Sequence, residues 1–335
     1  MFNTQYLLPA CTTANECFTK LNQYGESTPL PAAATEFGEF SIDTQSVHTF
    51  APGAKIKLFE ANSGNSSDLY STINMIVSNH MANIISNSWS STGEFPDSPL
   101  EIILQQAAAE GISVNFSSGD SADNAATLGK PAVNYPGSSS WVTAVGGTSL
   151  LLTSDLRYKS ETGWAWPFQV PNPNPLLPAL SVGSTGGLSQ YYTAGLWQSD
   201  AIGSISAGGY GLVGTHRAVP DISMLGDPQT GMAYISNGAW GNIGGTSVAC
   251  PEFSGLIALV NQSRVTNSKT SVGLVAPLLY TMKYNPHQSI APITSVIPPH
   301  ATSVSVLTGG PHWNDITGLG SPYAPLFIQA LANEQ

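Results

Sequence analysis

One serine of this sequence stands where a nucleophile could be presented. Gly244-Gly245-Thr246-Ser247 precedes an almost wholly apolar run over residues 253–260, which predicts a buried helix. Proline is tolerated only in the first turn of a helix, so Pro251 places the helix N-terminus close to Ser247. We therefore expect Ser247 on a tight turn at a helix N-terminus, where the helix dipole favours negative charge. An N-cap serine in a glycine-rich turn is the structural alternative.

A nucleophilic serine needs a group that accepts its proton, and two acidic residues are the candidates. Glu39 and Asp43 are four residues apart in a predicted helix, so they share one helix face. If that face is buried, the two carboxyl groups titrate as a coupled pair that shares a proton. A solvated acidic face is the alternative. The six histidines are interpreted as surface or packing residues: His48, His80, His216, His287, His300 and His312.

A third carboxyl group, that of Asp120, follows a predicted strand in the segment Ser117-Ser118-Gly119-Asp120. The carboxyl ends of parallel strands border the crevice in which α/β proteins carry out chemistry. A carboxyl group at this place could enter such a crevice. The alternative is an N-cap or an Asx-turn, in which the side chain only bonds the neighbouring backbone.

The elements that must position these residues alternate between helix and strand. The pattern predicts helices over residues 36–47, 66–80 and 99–110, and strands over residues 55–61, 84–89 and 112–117. Asp97 or Ser98 is expected to cap the third of these helices. This β-α-β-α-β alternation predicts a mainly parallel sheet flanked by helices.

Beyond a strand expected at residues 141–146 the pattern becomes irregular. Residues 164–180 are rich in proline and tryptophan and predict a long loop, and the glycine- and serine-rich residues 181–189 are expected to flex. A hairpin with an Asn237-Gly238 turn is predicted over residues 233–241, and further helices are predicted near 275–284 and 324–333. Residues 24–35 read as a linker.

The composition narrows the classes of protein that this chain can be. Of its 335 residues 41% are hydrophobic, which suffices for a large core, and only 9% are charged. Ten Lys and Arg residues at a formal net charge of -11 leave no basic patch for nucleic acid. A surface with few titrating groups changes its charge little in acid, which suits an acidic environment. A secreted protein that simply carries few charges is the alternative, because it has the same composition. No segment reaches the ~20 apolar residues of a membrane span.

The three cysteines indicate the redox environment. Cys11 and Cys17 are close enough in sequence to close a small disulfide loop, which hints at an oxidising compartment. Cys250 is expected as a buried small residue beside Ser247. The cysteines do not form a cluster of the kind that binds metals.

Together these segments resemble the sedolisins, or serine-carboxyl peptidases. Glu39-Phe40-Ser41-Ile42-Asp43 is similar to the Glu-x-x-x-Asp helix of that family, and Ser118-Gly119-Asp120 is similar to its oxyanion aspartate segment. Ser88-Trp89-Ser90 resembles its Ser-Trp-Gly cleft edge, with Ser90 where glycine is usual. Further landmarks follow in family order from about residue 9 to the end: Ala51-Pro52-Gly53-Ala54-Lys55-Ile56, Tyr135-Pro136, Ala144-Val145-Gly146-Gly147-Thr148, Glu161-Thr162-Gly163-Trp164, Val219-Pro220-Asp221-Ile222-Ser223 and Gly318-Leu319-Gly320-Ser321-Pro322.

The resemblance implies a subtilisin-like three-layer α/β fold in a single peptidase domain over residues 1–335, and an acid-acting endopeptidase. The implied catalytic residues are the nucleophile Ser247, the general base Glu39, its partner Asp43 and the oxyanion donor Asp120. The implied substrate cleft is lined by Ser88, Trp89, Ser90, Ser118 and Gly119. Protein or peptide substrates, a monomeric state and secretion or an acidic compartment are expected, with no nucleic-acid or membrane partner.

Two other functions stay open at this point. A truncated, non-catalytic relative could keep these motifs and act only as a binding module, although all four catalytic positions are intact. A conventional subtilisin with a catalytic histidine is less favoured, because no His-Gly-Thr-His type segment is present.

Three departures from the family pattern shape the expectations. The family begins with a further strand and helix where this sequence has Met1, so a central strand would be absent and two neighbouring strands would lack a ladder partner.

The two calcium-binding motifs of the family are replaced by residues that supply no carboxylate, namely Pro292-Ile293 and Gly310-Pro311-His312-Trp313-Asn314. The calcium site is therefore expected to be degraded, with Asp315 as a weak substitute ligand, and no other cofactor is expected. Residues 170–178 are interpreted as an insertion.

Overall fold

The computed structural model describes residues 1–31, 37–170, 180–198, 215–283, 293–294 and 313–334. In these residues the helices are α1 (Phe2–Gln5), α2 (Phe37–Phe50), α3 (Ser66–Ser78), α4 (Ser98–Ala109), α5 (Ala125–Leu128), α6 (Thr246–Thr266), α7 (Ala276–Lys283) and α8 (Ala324–Asn333). The strands are β1 (Phe18–Asn22), β2 (Ile56–Glu60), β3 (Ile84–Asn87), β4 (Ser113–Ser117), β5 (Thr143–Leu152), β6 (Tyr158–Gly163), β7 (Ala165–Val170), β8 (Leu180–Gly183), β9 (Gly187–Thr193), β10 (His216–Val219), β11 (Ile222–Leu225), β12 (Met232–Ser236), β13 (Ala239–Ile243), β14 (Ile293–Thr294) and β15 (Ser321–Pro322).

A parallel sheet in the order β11-β5-β4-β3 forms the centre of the fold, and β6 pairs antiparallel with β5. All five residues of β4 are buried, as expected of a strand that is covered on both faces. Successive residues of β3 point to opposite faces. Ile84 packs against the cluster around α6, whereas Ile85 joins the cluster that includes α3 and α4. Helices therefore cover both faces of the sheet, which confirms the predicted three-layer α/β fold.

Most of the elements predicted from the sequence are confirmed. The Asp97 side chain caps α4, because its Oδ1 accepts the Leu100 N–H at 3.0 Å. β12 and β13 form the predicted hairpin, and Asn237 and Gly238 at its turn have φ angles of 50° and 78°. These positive φ angles are the ones that a two-residue hairpin turn requires. Helices α7 and α8 lie where the sequence places them.

Helix α6 begins earlier than the sequence suggests. Its first residue is Thr246, so Pro251 lies in the second turn and not in the first, which corrects the prediction. Proline lacks the N–H that would bond the carbonyl group four residues earlier, here that of Ser247. The Ser88 hydroxyl oxygen lies 3.4 Å from this carbonyl oxygen, but its single proton points to Asp43 over the shorter distance of 2.6 Å. The helix therefore continues through Pro251 with one backbone hydrogen bond fewer.

Most of the glycine- and serine-rich residues 181–189 lie in two strands, β8 and β9, so the interpretation of this segment as flexible is corrected. The long loop predicted over residues 164–180 is corrected as well, because residues 165–170 form β7, which pairs with β8. Residues 183–186 are buried between other elements. The Ser184 N–H donates to the Trp164 carbonyl at 2.9 Å, and the Thr185 N–H donates to the Gly119 carbonyl at 2.8 Å. The small residues here allow close backbone packing against the loop that follows β4.

Several predictions concern residues outside the described ranges. These are most of the insertion at 170–178, part of the linker at 24–35, Pro292, residues 310–312, and the histidines His287, His300 and His312. In the described part of the chain no helix combines the length and the apolar character needed to cross a membrane.

The sheet is interrupted between β2 and β3. β1 and β2 form a separate parallel pair, with Phe18 opposite Ile56 and Asn22 opposite Glu60. In the described residues β2 pairs only with β1, and β3 pairs only with β4. Both open strands line one cavity of about 1170 Å³. Each of these two strands therefore has one edge with which no described strand pairs.

A buried ion pair holds the turn between β10 and β11. Two nitrogens of the Arg217 guanidinium donate to the Asp221 carboxylate at 2.6 Å, and both residues are fully buried. Asp221 Oδ2 also accepts the Ala144 N–H at 2.8 Å, which ties the pair to β5. Each charge therefore has a partner and further hydrogen bonds, as a buried ion pair requires.

We expect Asp221→Ala to lower the free energy of unfolding by about 3–5 kcal/mol, because it leaves the Arg217 charge buried and uncompensated. Asp155→Ala is the matched control, since Asp155 forms an exposed ion pair with Arg157 at 3.0 Å. The control should change the free energy by less than about 1 kcal/mol. Urea unfolding of the three proteins measures both differences, and equal losses would contradict the role given to the buried pair.

Candidate functional site

Hydrogen bonds join the loop after β4 to the first residue of α6. The N–H and the hydroxyl of Thr246 both donate to Asp120 Oδ1, at 2.8 and 2.7 Å. The Thr246 hydroxyl oxygen accepts the Gly119 N–H at 3.0 Å. Since Oδ1 accepts two hydrogen bonds, the proton of a neutral Asp120 is left on Oδ2. The protonated Oδ2 is then a donor beside the turn that presents Ser247.

The residue before Thr246 has to be glycine. Gly245 has a φ of 109°, a conformation that side chains rarely adopt. A Cβ atom at this position would also lie 2.9 Å from Asp120 Oδ2. The absence of a side chain lets the Asp120 carboxyl group approach the start of α6, which explains the Gly-Thr-Ser order in the sequence.

Opposing influences act on the Asp120 carboxyl group. The residue as a whole is exposed to solvent. Removal of the carboxyl group from water nevertheless raises the pKa of Asp120 above its usual range, while the hydrogen bonds from Thr246 lower it. Desolvation is the larger influence, so the pKa stays raised. The neutral acid therefore persists to a higher pH here than in an exposed aspartate.

Helix α2, which carries Glu39 and Asp43, packs against α6. Burial raises the pKa of Asp43 well above its usual range, and the nearby Glu39 carboxyl group raises it further. Asp43 is therefore not part of a solvated acidic surface. Loss of water and the neighbouring like charge both favour the protonated form, so the two carboxyl groups can hold one proton between them.

Ser88, directly after β3, connects the acidic pair to the start of α6. Its hydroxyl donates to Asp43 Oδ1 at 2.6 Å, and the Ser247 carbonyl oxygen is a second, weaker acceptor at 3.4 Å. The hydrogen bond to Asp43 lowers the pKa of that group, against the larger effect of burial. Three separate elements, which carry Asp43, Ser88 and Ser247, thus meet at the carboxyl edge of the sheet.

The other predicted cleft residues differ in their exposure. Ser90 is exposed, and the half-buried Trp89 ring stands edge-on to Phe116 with 5.0 Å between the ring centroids. Ser118 is fully buried, and its backbone N–H donates to β5 at 2.9 Å. The Ser118 side chain is therefore closed to solvent and supports the loop from beneath. Gly119, between Ser118 and Asp120, has a φ of 111°.

The described histidines are engaged away from Ser247. His48 contacts the Pro9 carbonyl oxygen at 3.0 Å, and His216 contacts the Ser189 carbonyl oxygen at 2.8 Å. His80 lies 3.4 Å from the Glu110 carboxylate. Among the residues that the structure describes, the polar side chains gathered at the first turn of α6 carry carboxyl and hydroxyl groups. The geometry thus favours a carboxylate as the proton acceptor.

Sequence reasoning missed two features of this site. Thr246 donates hydrogen bonds to Asp120, which is 126 positions away, so no local sequence pattern predicts this contact. The only sign of it in the sequence is a hydroxyl residue directly before Ser247. Sequence reasoning assigns Ser88 to the substrate cleft and does not find the hydrogen bond from its hydroxyl to Asp43. Ser88 can therefore position the acidic pair.

The described part of the expected calcium region is a self-contained turn. Asn314 Oδ1 accepts the N–H groups of Ile316 and Thr317 at 3.0 and 2.9 Å, and its Nδ2 donates to the Thr317 hydroxyl at 2.7 Å. Asp315 is buried, and within the described ranges it belongs to no group of three metal-ligating side chains. A hard cation requires several oxygen ligands, so these residues do not fit a calcium ion.

Cys11 and Cys17 are joined in a disulfide with 4.9 Å between their Cα atoms. Their sulfur atoms lie near His48, but a disulfide offers no thiolate to a metal ion. Cys250 is free and buried, and its sulfur lies 3.5 Å from the Ser86 hydroxyl. This position on α6 agrees with the small packing residue expected beside Ser247.

Comparison with known proteins gives consistent matches. The Subtilase family model matches residues 32–293. Kumamolisin of Bacillus sp. (strain MN-32) is 31% identical over 302 residues, which cover 88% of this chain and 50% of that protein. Tripeptidyl-peptidase 1 of Macaca fascicularis is 28% identical over 254 residues, which cover 69% of this chain and 39% of that protein.

Among solved structures, Pseudomonas sedolisin, a serine-carboxyl proteinase in complex with two molecules of pseudo-iodotyrostatin, matches with a TM-score of 0.76 at 26% identity. The match covers 98% of this chain and 86% of that chain. The chain spans about half or less of the length of the curated relatives named above. The fold, the order of the motifs and these similarities lead to one conclusion: the chain belongs to the sedolisin family of serine-carboxyl peptidases, within the subtilases.

Proposed function

We propose that this protein is an acid-acting serine-carboxyl endopeptidase. The observation that carries the proposal is the approach of the Asp120 carboxyl group to the N-terminus of the helix that presents Ser247. A carboxyl group with a raised pKa beside such a turn has the features of an oxyanion donor. Family membership supports the same function, and the relatives include a tripeptidyl-peptidase and a serine-carboxyl proteinase.

In the proposed mechanism, Ser247 Oγ attacks the carbonyl carbon of the scissile peptide bond and its proton passes to Glu39. Asp43 holds Glu39 in place and shares its proton, while Ser88 orients Asp43. Glu39 then gives the proton to the leaving amine, and an acyl-enzyme forms on Ser247. Water hydrolyses the acyl-enzyme in a second step with the same proton transfers in reverse order.

The tetrahedral intermediate of each step carries a negative oxygen, which needs hydrogen-bond donors. We assign these donors to the protonated Oδ2 of Asp120 and the backbone N–H of Ser247. The first N–H groups of a helix have no acceptor within the helix, so the Ser247 N–H is available for this role. Asp120 donates only while it is neutral, which restricts the donor to acidic pH.

A carboxylate also remains an ionised, usable base at a lower pH than a histidine does. A histidine is protonated below about pH 6.5, whereas a glutamate of ordinary pKa stays ionised down to about pH 4.3. The low charge of the chain limits self-repulsion under these conditions. We therefore propose that the enzyme works in an acidic environment, such as an acidic compartment or an acidic secretion.

We propose protein or peptide substrates that bind along Trp89, Ser90 and Gly119, at the edge of the sheet beside Ser247. One relative is named as a tripeptidyl-peptidase, which identifies the main alternative within the same chemistry. A substrate with a blocked N-terminus distinguishes the two modes, because only an endopeptidase cleaves it internally.

Ser247→Ala should lower kcat for such a blocked, internally quenched peptide at pH 4 by about 10⁴-fold or more, because the acyl-enzyme cannot form. Ser263→Ala, on the same helix and far from the site, is the matched control and should keep wild-type activity. Fluorescence assays and mass spectrometry of the products give the rate and the cleaved bond. Undiminished activity of Ser247→Ala would contradict the proposal, and release of tripeptides from free N-termini alone would contradict the endopeptidase mode.

Asp120→Asn should lower kcat by about 10- to 100-fold, because an amide is a weaker oxyanion donor than a carboxylic acid but keeps the same shape. The pKa of Asp120 is raised, so the wild-type enzyme loses its neutral donor as the pH rises through that pKa. An amide does not ionise, so the fall of kcat on the alkaline side should disappear or move to higher pH. Profiles of kcat from pH 3 to pH 8 measure this, and an unchanged alkaline limb would exclude Asp120 as the donor.

Ser88→Ala should move the acidic limb of the kcat/KM profile upward by about one pH unit. The Ser88 hydroxyl stabilises ionised Asp43 and lowers its pKa, so its loss lets the acidic pair take up its second proton at higher pH. Ser63→Ala is the control, since Ser63 donates the same kind of hydrogen bond to Asp68 at 2.5 Å away from the site. Equal profiles for the two variants would show that Ser88 does not position the pair.

A further inference from the structure

A carboxyl group is buried in the helix that carries Ser247. Residues 248–257 of α6 are all buried, and Glu252 among them is only 4% exposed. It is the one acidic residue of this helix. Glutamate is almost never fully buried unless it is paired, because an ionised carboxylate loses its hydration there. The proposed mechanism does not use Glu252, so its place in the core needs another explanation.

The contacts of Glu252 do not compensate an ionised carboxylate. One hydrogen bond reaches the carboxyl group from the Leu225 backbone at the end of β11. The Oε2 atom of Glu252 is buried and, in the part of the chain that the structure describes, has no hydrogen-bond partner. The ion pairs among the described residues do not include Glu252. The site therefore favours the neutral, protonated form of this group.

A second carboxyl group, that of Glu161 on β6, acts on Glu252 as a like charge. The Glu161 oxygens accept short hydrogen bonds, from the Thr148 hydroxyl at 2.6 Å and from the Ser321 hydroxyl at 2.5 Å. Burial raises the pKa of Glu161, whereas these two hydrogen bonds lower it. They stabilise an ionised Glu161, and Glu252 has no hydroxyl donor of this kind. A proton held by the pair therefore belongs on Glu252.

Other charged groups do not take the place of Glu161. Among the elements that pack against α6, strands β3, β4, β5 and β11 and helix α8 contain no charged residue. On α6 itself, Arg264 donates to the Leu331 carbonyl at 2.9 Å, and Cys250 stays a neutral thiol because burial raises its pKa to about 12. The remaining titratable groups on α2 and around β11 have partners of their own: Glu39, Asp43, His48, Arg217, Asp221 and Asp227.

The protonation of Glu252 is linked to folding. Desolvation is the largest influence, the Leu225 hydrogen bond opposes it and the Glu161 charge adds to it, which raises the pKa of Glu252 to about 8. In the unfolded chain this group has its ordinary pKa of about 4.3. Between these two values the folded protein holds a proton that the unfolded chain has released. The stabilisation is therefore complete below about pH 4.3 and is lost as the pH rises toward about 8.

We propose that Glu252 and Glu161 form a buried acid pair that restricts the stable fold to acidic pH. In acid, Glu252 is neutral and packs within the core face of α6. Toward neutral pH it must either ionise inside the core or leave it, and the helix that presents Ser247 then loses its packing. This inference concerns stability and does not depend on the proposed peptidase activity.

The test uses the full chain carrying Ser247→Ala, so that the protein cannot digest itself. Glu252→Gln removes the titrating proton and keeps the size of the side chain. The unfolding constant of the protein with Glu252, divided by that of Glu252→Gln, should rise about tenfold per pH unit, or about hundredfold from pH 5.5 to pH 7.5. Effects of Asp43 and Asp120 cancel in this ratio. Urea unfolding followed by tryptophan fluorescence measures it, and a constant ratio would overturn the proposal.

Glu16→Gln is the control, since the Glu16 side chain is 83% exposed in its ion pair with Lys55 at 3.7 Å. The same ratio for this variant should change less than about twofold over the range. Glu252→Met has a similar volume and no titrating group, so it repeats the measurement if Glu252→Gln fails to fold. A folded Glu252→Met protein with the pH dependence of the unchanged site would contradict the proposal.

Proton release on unfolding gives a second readout that does not depend on the stability of each variant. At pH 6.5 the protein with Glu252 should release about one proton more per molecule than Glu252→Gln, and equal release would overturn the buried proton. Glu161→Gln removes the like charge and should lower the pKa of Glu252. The carboxyl signal of carbon-13-labelled glutamate that is missing in Glu252→Gln reports this pKa by NMR. An unchanged pKa in Glu161→Gln would overturn the pairing.

Discussion

The two hydrogen bonds from Thr246 to Asp120 Oδ1 are the contact on which the site depends. They hold a carboxyl group at the N-terminus of a long buried helix, a place that favours its ionised form. That preference is worth roughly 0.3–1 kcal/mol, less than one pKa unit, whereas desolvation can shift a carboxyl pKa by several units. Desolvation prevails at Asp120, and its pKa is raised. The same contact therefore positions the group and leaves it able to carry a proton.

Helix α6 links this contact to the rest of the fold. Phe253 and Leu256 are almost completely buried in the main core, and the helix packs against α2, α8 and the central sheet. Its first turn therefore cannot move without disturbing the core. Pro251 would weaken the helix close to that turn, but the Ser88 hydroxyl approaches the carbonyl that the proline leaves without a donor. Ser88 thus lies between Asp43 and the nucleophile helix, and its short hydrogen bond goes to Asp43.

The sequence predicts the parts of this structure that depend on local spacing. The four-residue interval between Glu39 and Asp43 places both on one helix face, and the alternation of strands and helices gives the layers. Contacts between distant residues are invisible to such reasoning, so the role of Thr246 toward Asp120 is missed. Composition alone also leaves two interpretations open, because small residues such as those at 181–189 occur both in flexible segments and in closely packed ones. The buried Thr185, whose hydroxyl accepts the Ser121 N–H, shows that this segment is closely packed.

The prediction for Pro251 fails for a related reason. The penalty for proline inside a helix can be offset by tertiary packing, and the residues that pack against α6 come from distant parts of the sequence. A rule about helices alone therefore places the helix start too late. The contact of Ser88 with Asp43 is missed for the same reason, because the Ser88 motif is local and the contact is not.

The gap in the sheet and the chemistry of the acidic pair are physically connected. Burial is the largest cause of the raised pKa of Asp43, and the cavity between β2 and β3 extends to this residue. If water fills the cavity, the ionised form of Asp43 is better solvated and its pKa moves toward the ordinary range. If apolar groups fill it, the surroundings of Asp43 stay of low polarity and the shared proton is held more firmly. The packing of this cavity, a matter of fold stability, would then also set the pH range over which Glu39 and Asp43 share a proton.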